Sequence, residues 1–149
     1  MLIYFLAYFF LECSNGDVRL GDNNIENGHD IPLIFWNGNW WHICGHHFWD
    51  NSEGVNAFCR KLGYYSGSIN PRQSGRKSRE NAFWIGKCER GDIFPTCTGK
   101  CNKKTLGGVC KERSILGILP IPGGSNCDAG EHIIASVNCF GPSGVSSSC

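Results

Sequence analysis

Ten cysteines in a chain of 149 residues limit what this sequence can become more than any other feature. Cross-links remove conformational freedom from the unfolded chain, and so dense a set belongs to an oxidising compartment, because cytosolic thiols are kept reduced. The length allows one domain. Hydrophobic residues make up 41% and aromatics 12% of the chain, which supplies a small core and argues against general disorder. Twenty glycines and six prolines without a repeat favour a loop-rich, stapled fold over a helical bundle. A net charge of +1 lacks the basic excess of a nucleic-acid binder, so nucleic acid is not expected as a physiological partner.

Met1 to Leu11 carries no charge and is too short to span a bilayer core, which needs about 20 helical residues. It reads as the apolar region of a signal peptide, although no Lys or Arg precedes it and Glu12 follows it. Small residues at 14–16 place cleavage before Asp17, so residues 1–16 are expected as leader; a buried apolar first strand is the competing reading. Ile115 to Pro122 is short and broken by Pro120 and Pro122. A secreted, extracellular product without a membrane span is expected.

Strand-like alternation runs through Val18-Arg19-Leu20, Pro32 to Trp36 and Trp40 to Cys44, and Asn37-Gly38 between the last two is a strong hairpin signal. Asp50 to Glu53 offers an N-cap. Val55, Phe58, Cys59 and Leu62 then follow at helical spacing and Gly63 stands as the terminator, which predicts one amphipathic helix from about Ser52 to Leu62. Phe83-Trp84-Ile85 and Ile133 to Val137 read as further strand pieces. Four cysteines crowd Cys88 to Cys110, and residues 141–149 read as a flexible Gly/Ser tail.

The order of these pieces resembles the scavenger receptor cysteine-rich family. Asp17-Val18-Arg19-Leu20, then Ile34 to Cys44 with Asn37-Gly38-Asn39-Trp40, is similar to its VRL and NGxWGTVC opening. Phe48-Trp49-Asp50 and Cys59 to Tyr64 resemble its WD and CRxLGY, Trp84-Ile85 before Cys88 its IWL step, and Ala135 to Cys139 its terminal AGVxC. The likeness covers residues 17–140, with an insertion at about 98–126. It implies an α+β domain in which a curved antiparallel sheet cradles one helix, in the three-disulfide form. Carried over, it implies Cys44 bonded to Cys127, Cys59 to Cys139 and Cys88 to Cys97. Cys101 and Cys110 then remain inside the insertion, where their simplest fate is each other. Cleavage before Asp17 removes Cys13 and leaves Cys149 free or dimerising; a Cys13–Cys149 bridge is the alternative if cleavage occurs earlier.

Charge is unevenly spread along the chain. Residues 60–113 hold thirteen Lys and Arg against four acids, an excess of nine, whereas residues 17–59 hold six acids and one Arg. Arg72, Arg76, Lys77 and Arg79, with Lys100, Lys103 and Lys104, are the expected ligand-binding residues, since such a patch concentrates anions. A solvated face neutralised by nearby acids is the competing reading. The family's polyanion-binding receptors favour the functional one.

The family's cation site is built from acids that this chain lacks: Gly45-His46-His47 follows Cys44, and His132-Ile133-Ile134 stands in the later stretch, leaving Asp50 and a displaced Asp128. Ca²⁺ wants six to eight oxygens, so no metal or cofactor is expected. His42, His46, His47 and His132 are imidazoles suited to Zn²⁺ or Cu²⁺, but exposed loop histidines without a ligand are the expectation. Gly141-Pro142-Ser143-Gly144 lies in the tail with nothing to orient the serine, no phosphate loop is present, and no enzyme is expected. There is no Asn-x-Ser/Thr sequon. The expected function is an extracellular binding module for a polyanionic or protein ligand. The alternative is a secreted disulfide-rich effector, whether toxin, signalling factor or enzyme inhibitor, acting through the Cys97 to Cys127 insertion.

Overall fold

Asn37 and Gly38 both adopt positive φ, 48° and 81°, as a two-residue hairpin turn requires. They join β2 (Pro32–Trp36) to β3 (Asn39–His42), and β1 (Val18–Leu20) pairs on the other side of β2, giving an antiparallel sheet in the order β1-β2-β3. The register sets Val18 against Ile34 and Ile34 against Trp41. Alternation then buries Pro32, Ile34 and Trp36, while Trp40 turns its ring edge-on to Phe35 at 5.3 Å. The computed structural model describes residues 12–21, 31–69, 82–99, 132–134 and 136–149, with the backbone at 76–77.

The helix falls where the apolar spacing predicts, α1 at Glu53–Lys61. Its N-terminus is capped by a neighbour of the expected residue: Ser52 makes no side-chain cap, and Asn51 Oδ1 accepts the Glu53 N–H at 3.0 Å. At the other end Gly63 turns left-handed at φ 88°, so that the Tyr64 N–H reaches the Cys59 carbonyl and the Gly63 N–H that of Arg60. This closure is the Schellman arrangement that glycine permits. Val55, Phe58, Cys59 and Leu62 are buried along one stripe.

That stripe lies on β4 (Ser66–Ile69), which pairs antiparallel with β7 (Val137–Phe140) and sets Gly67 opposite Cys139. Cys59 is bonded to Cys139 with Cα atoms 5.5 Å apart, which staples helix to sheet. Only glycine fits at position 67. A Cβ there would run into the Cys59 sulfur and lie 3.0 Å from the Asn138 carbonyl oxygen and 3.1 Å from Val55 Cγ2. Gly67→Ala should therefore destabilise the fold by about 1–3 kcal/mol, as overpacked cores do, read as a lower urea midpoint at unchanged slope. A midpoint equal to that of the wild type would show that this contact does not govern the packing.

Two short strands complete the frame: β5 (Arg76–Lys77) pairs with β6 (His132–Ile133). The segment read as one strand from Ile133 to Val137 is divided between β6 and β7. Cys44 bridges Ile133 and the Ile134 N–H bonds the Ile43 carbonyl, whereas Val137 onward pairs with β4. One stretch serving two sheets has to break its register. Phe83 forms a parallel bridge with Ile43, and Phe83, Trp84 and Ile85 are fully buried. The main core joins Phe83 and Ile85 to Ile34, Trp36, Phe48, Phe58 and Phe94, each large buried side chain contributing about 1.5–3 kcal/mol, while Trp84 packs in a second cluster with Cys44, Ala82 and Ile133. The domain is thus a small α+β fold, one helix packed on antiparallel strands and held by disulfides.

The chain ends depart from expectation. Residues 141–149 are not a flexible tail: the Leu20 N–H bonds the Ser146 carbonyl, the Ser148 N–H bonds the Val18 carbonyl, and Arg19 bridges Ser147. The tail thereby covers the free edge of β1. Its glycine reports a close approach rather than freedom, since a Cβ at Gly144 would run into the Tyr64 ring. Cys149 is neither free nor available for dimerisation, because it is bonded to Cys13, with Cα atoms 5.2 Å apart across 136 residues of sequence. The segment before Asp17 is integrated as well. Gly16 N–H bonds the Phe35 carbonyl, Asn15 Oδ1 accepts the Asn37 N–H, and Lys61 Nζ donates to the Gly16 carbonyl. A leader boundary at residue 16 would discard these contacts together with Cys13.

Candidate ligand-binding surface

Of the seven basic residues expected to bind a ligand, Arg76 and Lys77 are described, as the two residues of β5. In the backbone register Arg76 pairs with Ile133 and Lys77 with His132, so this part of the basic stretch is carried on a strand. Arg72, Arg79, Lys100, Lys103 and Lys104 lie outside the described residues, as do Asp128 and most of the 98–126 insertion. Cys101, Cys110 and Cys127 lie outside them too. Cys44 is disulfide-bonded, and Cys88 is joined to Cys97.

Two acids of the acid-rich segment, Asp17 and Asp50, are engaged locally. Asp17 accepts the Ser14 N–H at 2.7 Å and the Ser148 hydroxyl at 3.1 Å, and Asp50 Oδ2 stands 2.8 Å from His47 Nδ1. That His47–Asp50 contact is the one ion pair between two described residues. Lys61 is half-buried beneath the Gly16 and Phe94 carbonyls; desolvation lowers its pKa, and the nearby Asp17 charge partly offsets the shift.

The histidines are not the exposed loop groups expected. His42, His46 and His47 are each partly buried, and only His132 is exposed. His47 occupies a left-handed position at φ 61°, its ring centroid 4.0 Å from that of His46, which in turn lies 5.1 Å from the buried Trp84. Trp49 lies with its ring 6.2 Å from that of His132 and packs where a Cβ on Gly45 would sit. Among the described residues, the donor atoms close enough for one ion are those of Cys13, Asp17 and Cys149. The two sulfurs there are bonded to each other, so that group offers a single carboxylate.

Two surface clefts are formed by described residues. One, of about 410 Å³, lies between Trp49, Asn51, Val55 and Ile69 and has no cation in its wall. The other, of about 510 Å³, has Ala57 and Phe94 as its floor and Arg60, Lys61, Arg90 and Ile93 at its rim. Charge counting along the sequence included Arg60 and Arg90 without singling them out. The signal that marks them is the exposed Ile93 beside Arg90 inside a short Cys-to-Cys loop.

Fold and surface together define a disulfide-framed α+β domain with cationic ground on one strand and one cleft. No protein-family model matches this chain, and no curated protein matches it. Several disulfides are formed, as in proteins of oxidising compartments, and no helix among the described residues is long and apolar enough to cross a membrane.

Proposed function

We propose that this chain is a secreted binding module of the scavenger receptor cysteine-rich kind, with no catalytic role, that recognises polyanionic or protein ligands through a basic surface. Arg72, Arg76, Lys77, Arg79, Lys100, Lys103 and Lys104 supply the charge. The observation that carries this reading is the use of the acids: Asp17 and Asp50 are held by Ser14, Ser148 and His47 rather than by a Lys or Arg. Neither carboxylate forms a direct ion pair with a Lys or Arg among the described residues, and in the basic stretch at 60–113 thirteen Lys and Arg outnumber four acids. A second support is the strand pairing of Arg76 and Lys77, which orders the backbone that carries two of the basic residues. An ordered backbone loses less freedom on binding than a loop does.

Replacing Arg72, Arg76, Lys77 and Arg79 together with serine should move elution from a heparin column to markedly lower salt, since each lost contact weakens a salt-dependent attraction. Unchanged elution would remove the patch from the function. Pairing of both β5 positions through the backbone leaves the serine variant able to fold, which an unchanged circular dichroism spectrum would verify.

A further inference from the structure

The Cys88–Cys97 bridge closes a loop whose shape is then fixed from within. Asp92 Oδ2 accepts the Glu89 N–H at 2.7 Å and the Thr98 N–H at 2.8 Å, and the Thr98 hydroxyl donates to the same carboxylate. Gly91 takes φ 88° at the tip, and Phe94 is buried edge-on against Phe48 and Phe58. Beside that anchor, Ile93 stands 81% exposed, the most exposed large apolar side chain among the described residues. A rigid loop holding an isoleucine in water has no folding reason to do so.

Charge marks what would cover it. Arg90 in the loop and Arg60 in the last turn of α1 are exposed and line the same cleft, and no described residue pairs with either guanidinium. The cleft's one acid, Asp92, already accepts three donors. Lys61 is committed to the Gly16 and Phe94 carbonyls. Neither guanidinium is thus bonded to a carboxylate among the described residues, and guanidinium forks are suited to carboxylates.

We propose that this cleft docks an acidic, aliphatic segment of a partner protein, its carboxylate held between Arg60 and Arg90 and its apolar side chain covering Ile93 and the Phe94 edge. The fixed loop supports this, because less conformational entropy is lost when the receptor surface is already ordered. The residues of this site are not those of the proposed polyanion surface, and either can fail without the other.

A phage-displayed library of random octapeptides, panned on the intact oxidised protein, tests it. Enriched sequences should place Asp or Glu beside Leu, Ile, Val, Met or Phe. A fluorescein-labelled peptide from that pool should bind about tenfold or more weakly to R60Q/R90Q, and severalfold more weakly to I93S, with affinity falling as salt rises. The serine variant at Arg72, Arg76, Lys77 and Arg79 should keep full affinity for the peptide, which separates this cleft from the polyanion surface. Enrichment of nothing or of neutral or basic sequences would overturn the proposal. So would retained affinity in R60Q/R90Q, or binding that needs a divalent cation and is lost in D92N alone. A variant whose Cys88–Cys97 bridge and circular dichroism match the wild type is folded, so its loss of binding counts for the site.

Discussion

Replacing Cys59 and Cys139 together with alanine should lower the unfolding free energy by about 4 kcal/mol, the chain-entropy value for a bridge that spans 80 residues. The loss is large because this bridge joins the one helix to the strand pair beneath it. With the cross-link gone, α1 is held to β4 and β7 by Val55, Phe58 and Leu62 and by the Gly67 N–H donated to Asn56 Oδ1 at 3.0 Å. Gly67 then faces the space left by a sulfur, so part of the deficit should be recovered by adding Gly67→Ala to the double variant. Urea unfolding of the three proteins measures both steps. A loss below about 1 kcal/mol would mean that the helix is held by packing alone.

Removing the terminal bridge as Cys13→Ser/Cys149→Ser should cost about 2–4 kcal/mol and release the tail from the β1 edge. Because Cys59–Cys139 already shortens the loop between the chain ends, this figure lies below the value for an isolated bridge of that span. Release has its own readout. The amide of Leu20, bonded to the Ser146 carbonyl, and that of Ser148, bonded to the Val18 carbonyl, should exchange faster than in the wild type while the Ile34 amide does not. Cys13→Ser alone should free the Cys149 thiol and yield disulfide dimers that the wild type lacks. By the same logic a leader cut before Asp17 would reproduce that variant, so the oxidised protein is expected to retain Cys13. An N-terminal sequence starting at Asp17, with an alkylatable Cys149, would contradict this.

The elements legible in the sequence were those whose cause is local. Asn37-Gly38 dictates its own turn through positive φ, and the spacing of Val55, Phe58, Cys59 and Leu62 dictates a helix face that Gly63 ends. What could not be read depends on partners remote in sequence. Gly and Ser at 141–149 look like freedom until Tyr64 and the β1 edge are seen to require small residues close by. Ile133 to Val137 looks like one strand until two sheets claim its two ends. The partial burial of His46 and His47 goes with Trp84, remote in sequence, which packs beside both rings. For the surface, the charge excess located the basic segment but not the cleft, because Arg60 and Arg90 are thirty residues apart and meet only when α1 and the Cys88–Cys97 loop pack together.

Everything proposed for this chain hangs on its disulfide frame, so a disulfide map of the protein secreted from eukaryotic cells, by non-reducing digestion and mass spectrometry, tests the account most directly. The result predicted is Cys13 with Cys149, Cys59 with Cys139 and Cys88 with Cys97, and, from the family resemblance, Cys44 with Cys127. Cys59 joined to any cysteine other than Cys139, or Cys88 to any other than Cys97, would contradict the fold and with it both binding surfaces.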